Sequence, residues 1–377
     1  MSHLQENRRN IGVDVLRGIS ILLVILLHIN IHFGLKNSYL GTELPSKLFS
    51  FLFWNGFYGV VIFFTLSGYL ITTSILRRSQ SLSEINLKQF YWFRFSRIMP
   101  LLIALLVVLS VLHLTGVSGY VINLNKTSLL RAIFSVLTFH FNWLEIQVGY
   151  LPANWDVLWS ISIEECFYLV FPIVCLALKK DWQFVFILLL FVGISPWARV
   201  ELFLDNDLAY KNHLGSIDAI AFGCMTAIIA HKFNISKKMN ALLLIIGSIL
   251  IVMVMFYKGM IWRSGLTELG LNVSILSIGV SMVVLWMHNR YKKDLQKDYL
   301  AFRWLKQMGK YSYEIYLTHM FIVIPMAQVI KTNELGEQWL IPLLFLSLAL
   351  SFLLGWLIST RFSEPVNRWL RNRIKTD

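Results

Sequence analysis

The stretch VDVLRGISILLVILLHINI, Val13 to Ile31, decides the class of the molecule. At about 1.5 Å per residue it reaches across the roughly 30 Å of hydrocarbon in a bilayer. It nevertheless carries Asp14, Arg17 and His28. A central Arg or Asp costs roughly 2.5 to 3.5 kcal/mol on insertion scales, so such groups face a polar interior and mark a pathway or a site. Arg17 and His28 lie eleven residues apart, and steps of about 100° bring them round to nearly the same helix face, with Ile21 and Val24 between them.

The other runs repeat the apolar pattern. The chain has 377 residues, 56% hydrophobic and 15% charged, where soluble domains carry about 25% charged residues. Ten apolar runs follow in order: Ile11 to Ile31, Phe57 to Leu76, Pro100 to Gly116, Val157 to Leu178, Trp182 to Pro196, Ser216 to Ala230, Ala241 to Tyr257, Leu269 to Met287, Tyr313 to Ile330 and Trp339 to Ser359. They predict an all-α integral membrane protein of about ten transmembrane helices, with the fifth tilted or broken at Pro196. The net charge of +13 does not mark a nucleic-acid binder, because the basic residues cluster between apolar runs. Most of the 34 Lys and Arg residues fall in alternate connections: at Arg8 and Arg9, from Arg77 to Arg97, at Lys179 and Lys180, from Lys232 to Lys238, from Arg290 to Lys310, and from Arg361 to Lys375. That bias predicts that both termini are cytoplasmic.

Cys166, Cys175 and Cys224 all lie in apolar runs and form no disulfide or zinc pattern, and no metal is expected. No cleavable leader is evident. A single membrane domain over residues 1–377, with no appended soluble domain, is the expectation. The longest outer connection, Val117 to Asp156, contains an amphipathic piece, Leu129 to Phe141, that either caps a site or lies at the interface.

Depth along the helices groups the chemistry. Helix one runs outward, so His28 sits about 16 Å beyond Arg17, in the outer half. The fourth helix runs inward through WSISIEECFY and brings Glu164 to a similar depth, with Ser160 on its face and Ser162 and Tyr168 flanking it. An imidazole oriented by an acid is the pairing that general-base catalysis uses. Glu165 is the second acid there, and Glu164 is the one expected to face the site. In helix two, Ser67 and Gly68 allow either close ligand approach or close helix packing. Arg94 and Arg97 are one turn apart at the cytoplasmic interface. They suit a phosphate ligand, or simply anchor the helix. In GKYSYEIYLTH the tyrosines read as an interfacial belt and His319, deeper in, as a supporting group. Asp218 reads as either an acceptor-side acid or an interfacial charge. Asp14, three residues before Arg17, reads as its partner.

Arg17 and His28, FFTLSGYL, RFSR ending at Arg97, WSISIEECFY, GKYSYEIYLTH and Glu364–Pro365, in that order, resemble acyltransferase family 3 of the membrane-bound O-acyltransferases. The resemblance implies transfer of an acyl group, commonly acetyl from cytoplasmic acetyl-CoA, to extracytoplasmic glycans such as lipopolysaccharide O-antigen, exopolysaccharide, peptidoglycan or oligosaccharide signals, by a multi-pass protein of the bacterial cytoplasmic membrane. It implies donor roles for Arg17, Arg94 and Arg97, a catalytic role for His28 and a supporting one for Glu164. Direct transfer and a covalent acyl-enzyme both stay open. The competing class is a transporter or flippase whose intramembrane charges form a path, although no inverted repeat is visible.

Overall fold

The chain is described here by a computed structural model covering residues 10–79, 81–202, 208–293 and 298–373. Of the basic residues used for orientation, Arg8, Arg9, Lys297 and Lys375 lie outside the described residues. Among those described, secondary structure is helical throughout, with no strand. Nine helices among the described residues are long and apolar enough to cross a membrane, and a bent pair makes a tenth if counted as one span.

The first helix, α1 (Ile11–Phe33), starts where Asn10 accepts hydrogen bonds from the N–H groups of Gly12 and Val13 at 3.1 and 3.4 Å. It ends at Gly34, whose φ of 72° needs no Cβ and whose N–H reaches the Asn30 carbonyl. Then come α2 (Gly56–Ser79) and α3 (Leu87–Leu114). The third apolar run was expected to begin at Pro100, but α3 starts about three and a half turns earlier. Asn86 caps it, and it passes through Pro100 unbroken, so Arg94 and Arg97 stand on a rigid helix. The outer connection holds two short helices, α4 (Leu129–Leu137) and α5 (Phe141–Val148), rather than one; Phe139, at a φ of 58°, interrupts them.

Four spans follow: α6 (Leu158–Ala177), α7 (Asp181–Val200), α8 (His213–Lys232) and α9 (Lys237–Phe256). The expected break at Pro196 does not occur, since α7 continues to Val200. After α10 (Leu271–Lys292), the amphipathic α11 (Arg303–Lys310) packs on the first half of α1. The ninth run is two helices, α12 (Ser312–Thr318) and α13 (Met320–Thr332), bent by 41° with His319 at the break. Finally α14 (Leu340–Ile358) leads through a π-helical turn, Ser359–Ser363, into α15 (Glu364–Asn372). We call the end of the bundle holding the start of α1 the inner end, and the opposite end the outer end.

Glycines set the approach of α2 to α8. A Cβ on Gly68 would overlap the Ile220 carbonyl, and one on Gly223 would overlap the Thr65 carbonyl. Gly68, expected beside the donor, therefore serves helix packing, and its neighbour Ser67 turns to a different partner.

Candidate active site

His28 and His319 meet in the outer half of the bundle. His28 Nδ1 lies 3.0 Å from His319 Nε2, with the ring centroids 5.0 Å apart. His319 is fully buried because the α12–α13 break tucks it between helices, whereas His28 is only partly buried. The contacts of His319 Nδ1 are the Tyr316 and Ile315 carbonyls, at 2.8 and 3.2 Å. Carbonyl oxygens only accept, so Nδ1 carries the proton and, in the neutral ring, Nε2 accepts. His28 Nδ1 must then donate, which leaves the lone pair of His28 on Nε2. Tyr316 links the pair to α6: its hydroxyl is 2.7 Å from Ser160 Oγ and donates to the Val157 carbonyl at 2.9 Å.

Glu164 is not the partner of His28. Its carboxylate accepts from Tyr168 one turn further inward, and Tyr168 in turn receives the Ser67 hydroxyl. The expectation of equal depth is off by about one turn, and Ser160 is the α6 residue level with the histidines. Glu165 is buried. Ser162 is also buried, and it accepts the Phe141 N–H at 3.2 Å, tying the outer connection to α6. Glu164 and Tyr168 belong instead with Arg94, whose guanidinium covers the Tyr168 ring at 4.5 Å.

Below them opens a cavity of about 750 Å³, lined by Arg78, Arg94, Arg97, Arg368 and Arg371 together with Phe93 and Asn367. Arg97 is held 2.9 Å from the fully buried Glu314. Arg78 and Arg371 both lie against Phe93, at 4.8 and 4.6 Å. The expected pair Arg94 and Arg97 is thus brought together with three arginines that read in the sequence only as topology markers. The signal lay in their position: Arg78 ends α2, and Arg368 and Arg371 are a turn apart on α15, which packs on α3. Arg17 is not part of this lining. It stays on the inner part of α1, near buried Asp14, where α11 packs.

Two buried ionic groups complete the polar interior. Arg199 donates to the Gly215 and Gly270 carbonyls and to Asp218, which also receives Ser274 at 2.5 Å; Asp218 is therefore a helix pin rather than an acceptor-side acid. Lys211, Glu145 and Asp156 form the second group, on the outer side, and the sequence reading gave them no role. Among the described residues no set of three or more His, Cys, Asp or Glu side chains could hold a metal ion.

A family described as "Acyltransferase domain" matches residues 10–360. The peptidoglycan O-acetyltransferase OatA of Listeria monocytogenes is 28% identical over 350 residues, covering 86% of this chain and 51% of that protein. The O-acetyltransferase OatA of Staphylococcus aureus is 27% identical over 343 residues, covering 83% and 50%. The chain spans about half the length of these curated relatives. No solved structure matches. The long apolar helices and these matches together make the chain a multi-pass protein of a bacterial cell membrane.

Proposed function

The chain belongs to this acyltransferase family, and on that premise we propose that it moves an acyl group, acetyl first among the candidates, from acyl-CoA at the inner, cytoplasmic end to a hydroxyl of an extracytoplasmic glycan. One observation carries the reading: a histidine pair and a cationic cavity flank two levels of the same helix, α6. Ser160, level with the histidines, and Tyr168, over which Arg94 lies, are eight residues apart on α6, about 12 Å. A donor with phosphates at one end and a thioester at the other, joined by a thin arm, spans such a distance.

In this mechanism the arginines bind the phosphates of coenzyme A. His28 Nε2 removes the proton of the acceptor hydroxyl, and the oxygen attacks the thioester carbonyl carbon. The C–S bond breaks and the departing thiolate takes its proton back from the imidazolium. Ser160, its hydroxyl turned from Tyr316 toward the thioester, supplies a donor for the developing oxyanion. His319 holds the tautomer of His28, the support first expected of Glu164. Glu164 acts through Tyr168 and Ser67 on the donor passage. The substrate in the name of the Listeria relative makes peptidoglycan the first acceptor to try.

Membrane vesicles supplied with radiolabelled acetyl-CoA test this. Label should pass to an alkali-labile glycan ester, and His28→Ala should lower transfer by about 10²- to 10⁴-fold at unchanged protein level. Transfer that survives the substitution removes His28 from the mechanism.

A further inference from the structure

Three charged side chains from separate elements meet at the outer end. Lys211 Nζ lies 2.8 Å from Glu145 Oε2 and 2.8 Å from Asp156 Oδ1. A buried ionic group normally closes on itself, and the Arg199 group does: one cation faces one carboxylate, and both Asp218 oxygens are used. The Lys211 group sets two carboxylates against one ammonium. The Lys211 and Glu145 side chains are 1% and 0% exposed, but that of Asp156 is 24% exposed.

The members also differ in charge. Burial, and then the neighbouring Asp156 carboxylate, hold the Glu145 acid well above the ordinary carboxylate range. Of the two acids that face Lys211, Asp156 is the one at the open side.

That carboxylate lies on the outer side of the histidine pair. Asp156 is one turn before Ser160, whose hydroxyl meets Tyr316, and it lies within electrostatic reach of both Tyr316 and His32, one turn outward from His28. Aromatic rings stand around its lysine partner: those of Tyr150 and Trp159 are 4.5 and 5.5 Å from Lys211 Nζ, and Tyr150 is exposed. A carboxylate beside an exposed aromatic face has the two features a sugar needs, an acceptor for hydroxyls and a surface for its C–H face.

We propose that Asp156, oriented by Lys211, and Tyr150 form a subsite for a sugar ring of the acceptor. Tyr150 stacks on the ring and Asp156 accepts from its hydroxyls, so that a further hydroxyl is presented to His28. The inference rests on the glycan-acceptor reading above.

The test uses the full chain in vesicles, with labelled acetyl-CoA and a soluble β-linked N-acetylglucosamine tetrasaccharide, and KM measured separately for donor and acceptor. Asp156→Asn keeps the volume and still accepts from Lys211. It should raise the acceptor KM about ten- to hundredfold, the loss of one hydrogen bond to a charged group, and leave the donor KM unchanged. Tyr150→Ala should raise the acceptor KM severalfold. An unchanged acceptor KM in Asp156→Asn overturns the subsite, and so does a fall in kcat at constant KM, which would place Asp156 in the proton-transfer step. Should Asp156→Asn fail to fold, Tyr150→Ala, at an exposed position, decides in the same way. A wild-type chain that labels no glycan overturns the acceptor reading and the subsite with it. A wild type that labels glycan beside variants with unchanged acceptor KM overturns the subsite alone.

Discussion

At the outer end of the bundle His28 Nδ1 meets one side chain, His319, fully buried and fixed by two carbonyl oxygens. At the inner end five arginines from three helices crowd an open cavity where only Glu84 and Glu364 among the lining residues are acidic. The first site works by the placement of a few atoms in a dry interior, where each hydrogen bond decides a proton's position. The second works by surplus charge shared among many groups, each replaceable in part and each open to screening. One substitution should therefore disable the first site, whereas the second should weaken by degrees and respond to salt.

The largest effect is expected at His319. Removing it takes away the acceptor for His28 Nδ1, so His319→Ala should lower kcat about 100-fold with little change in the donor KM. His319→Gln, whose carbonyl can accept the same proton, should recover part of the loss. Initial-rate kinetics with acetyl-CoA check this. A donor KM that moves with kcat would erase the separation between the two ends.

At the inner end the double variant Arg94→Ala, Arg97→Ala should raise the donor KM about 100-fold, two charged hydrogen bonds at roughly 1.5 to 3 kcal/mol each being more than enough. The wild-type donor KM should also climb with ionic strength, and the variant's less steeply. A kcat effect without a KM effect would make these arginines helix anchors and return the donor site to an unknown place.

The spans were legible in the sequence, because apolar length is a local property, and so was the placing of His28 and of Arg94 and Arg97 toward opposite ends of the bundle. What failed was pairing. Glu164 was matched to His28 by depth alone, but depth along a helix leaves about a turn of slack, and Tyr168 at i+4 supplied a nearer donor. Arg78 and Arg371 were hidden because their meeting at Phe93 depends on where α15 docks, which no spacing encodes. The Lys211 group joins residues from the outer connection to the lead-in of α8, a contact over 66 positions.

Gly68 offers a smaller test between packing and ligand contact. Adding a methyl group against the Ile220 carbonyl should cost about 1 to 3 kcal/mol, seen as a lower thermal midpoint for Gly68→Ala in detergent, with the donor KM unchanged at a permissive temperature. The reverse result, normal stability with a raised donor KM, would move Gly68 back to the donor passage.

The smallest effect concerns the floor of the outer site. Because the folded chain holds the Glu145 proton well above the ordinary carboxylate range, the unfolded chain binds fewer protons once pH passes about 4.3. Stability from this group is therefore full below that pH and lost as pH rises through the folded value. Glu145→Gln should remove that slope, leaving the thermal midpoint nearly unchanged at pH 5 and higher than that of the wild type at pH 8. A loss of about 3 to 5 kcal/mol at neutral pH would instead be the signature of a broken buried ion pair. In that case Glu145, not Asp156, is the true counter-ion of Lys211, and the Asp156 carboxylate is freer toward the acceptor than a shared lysine allows.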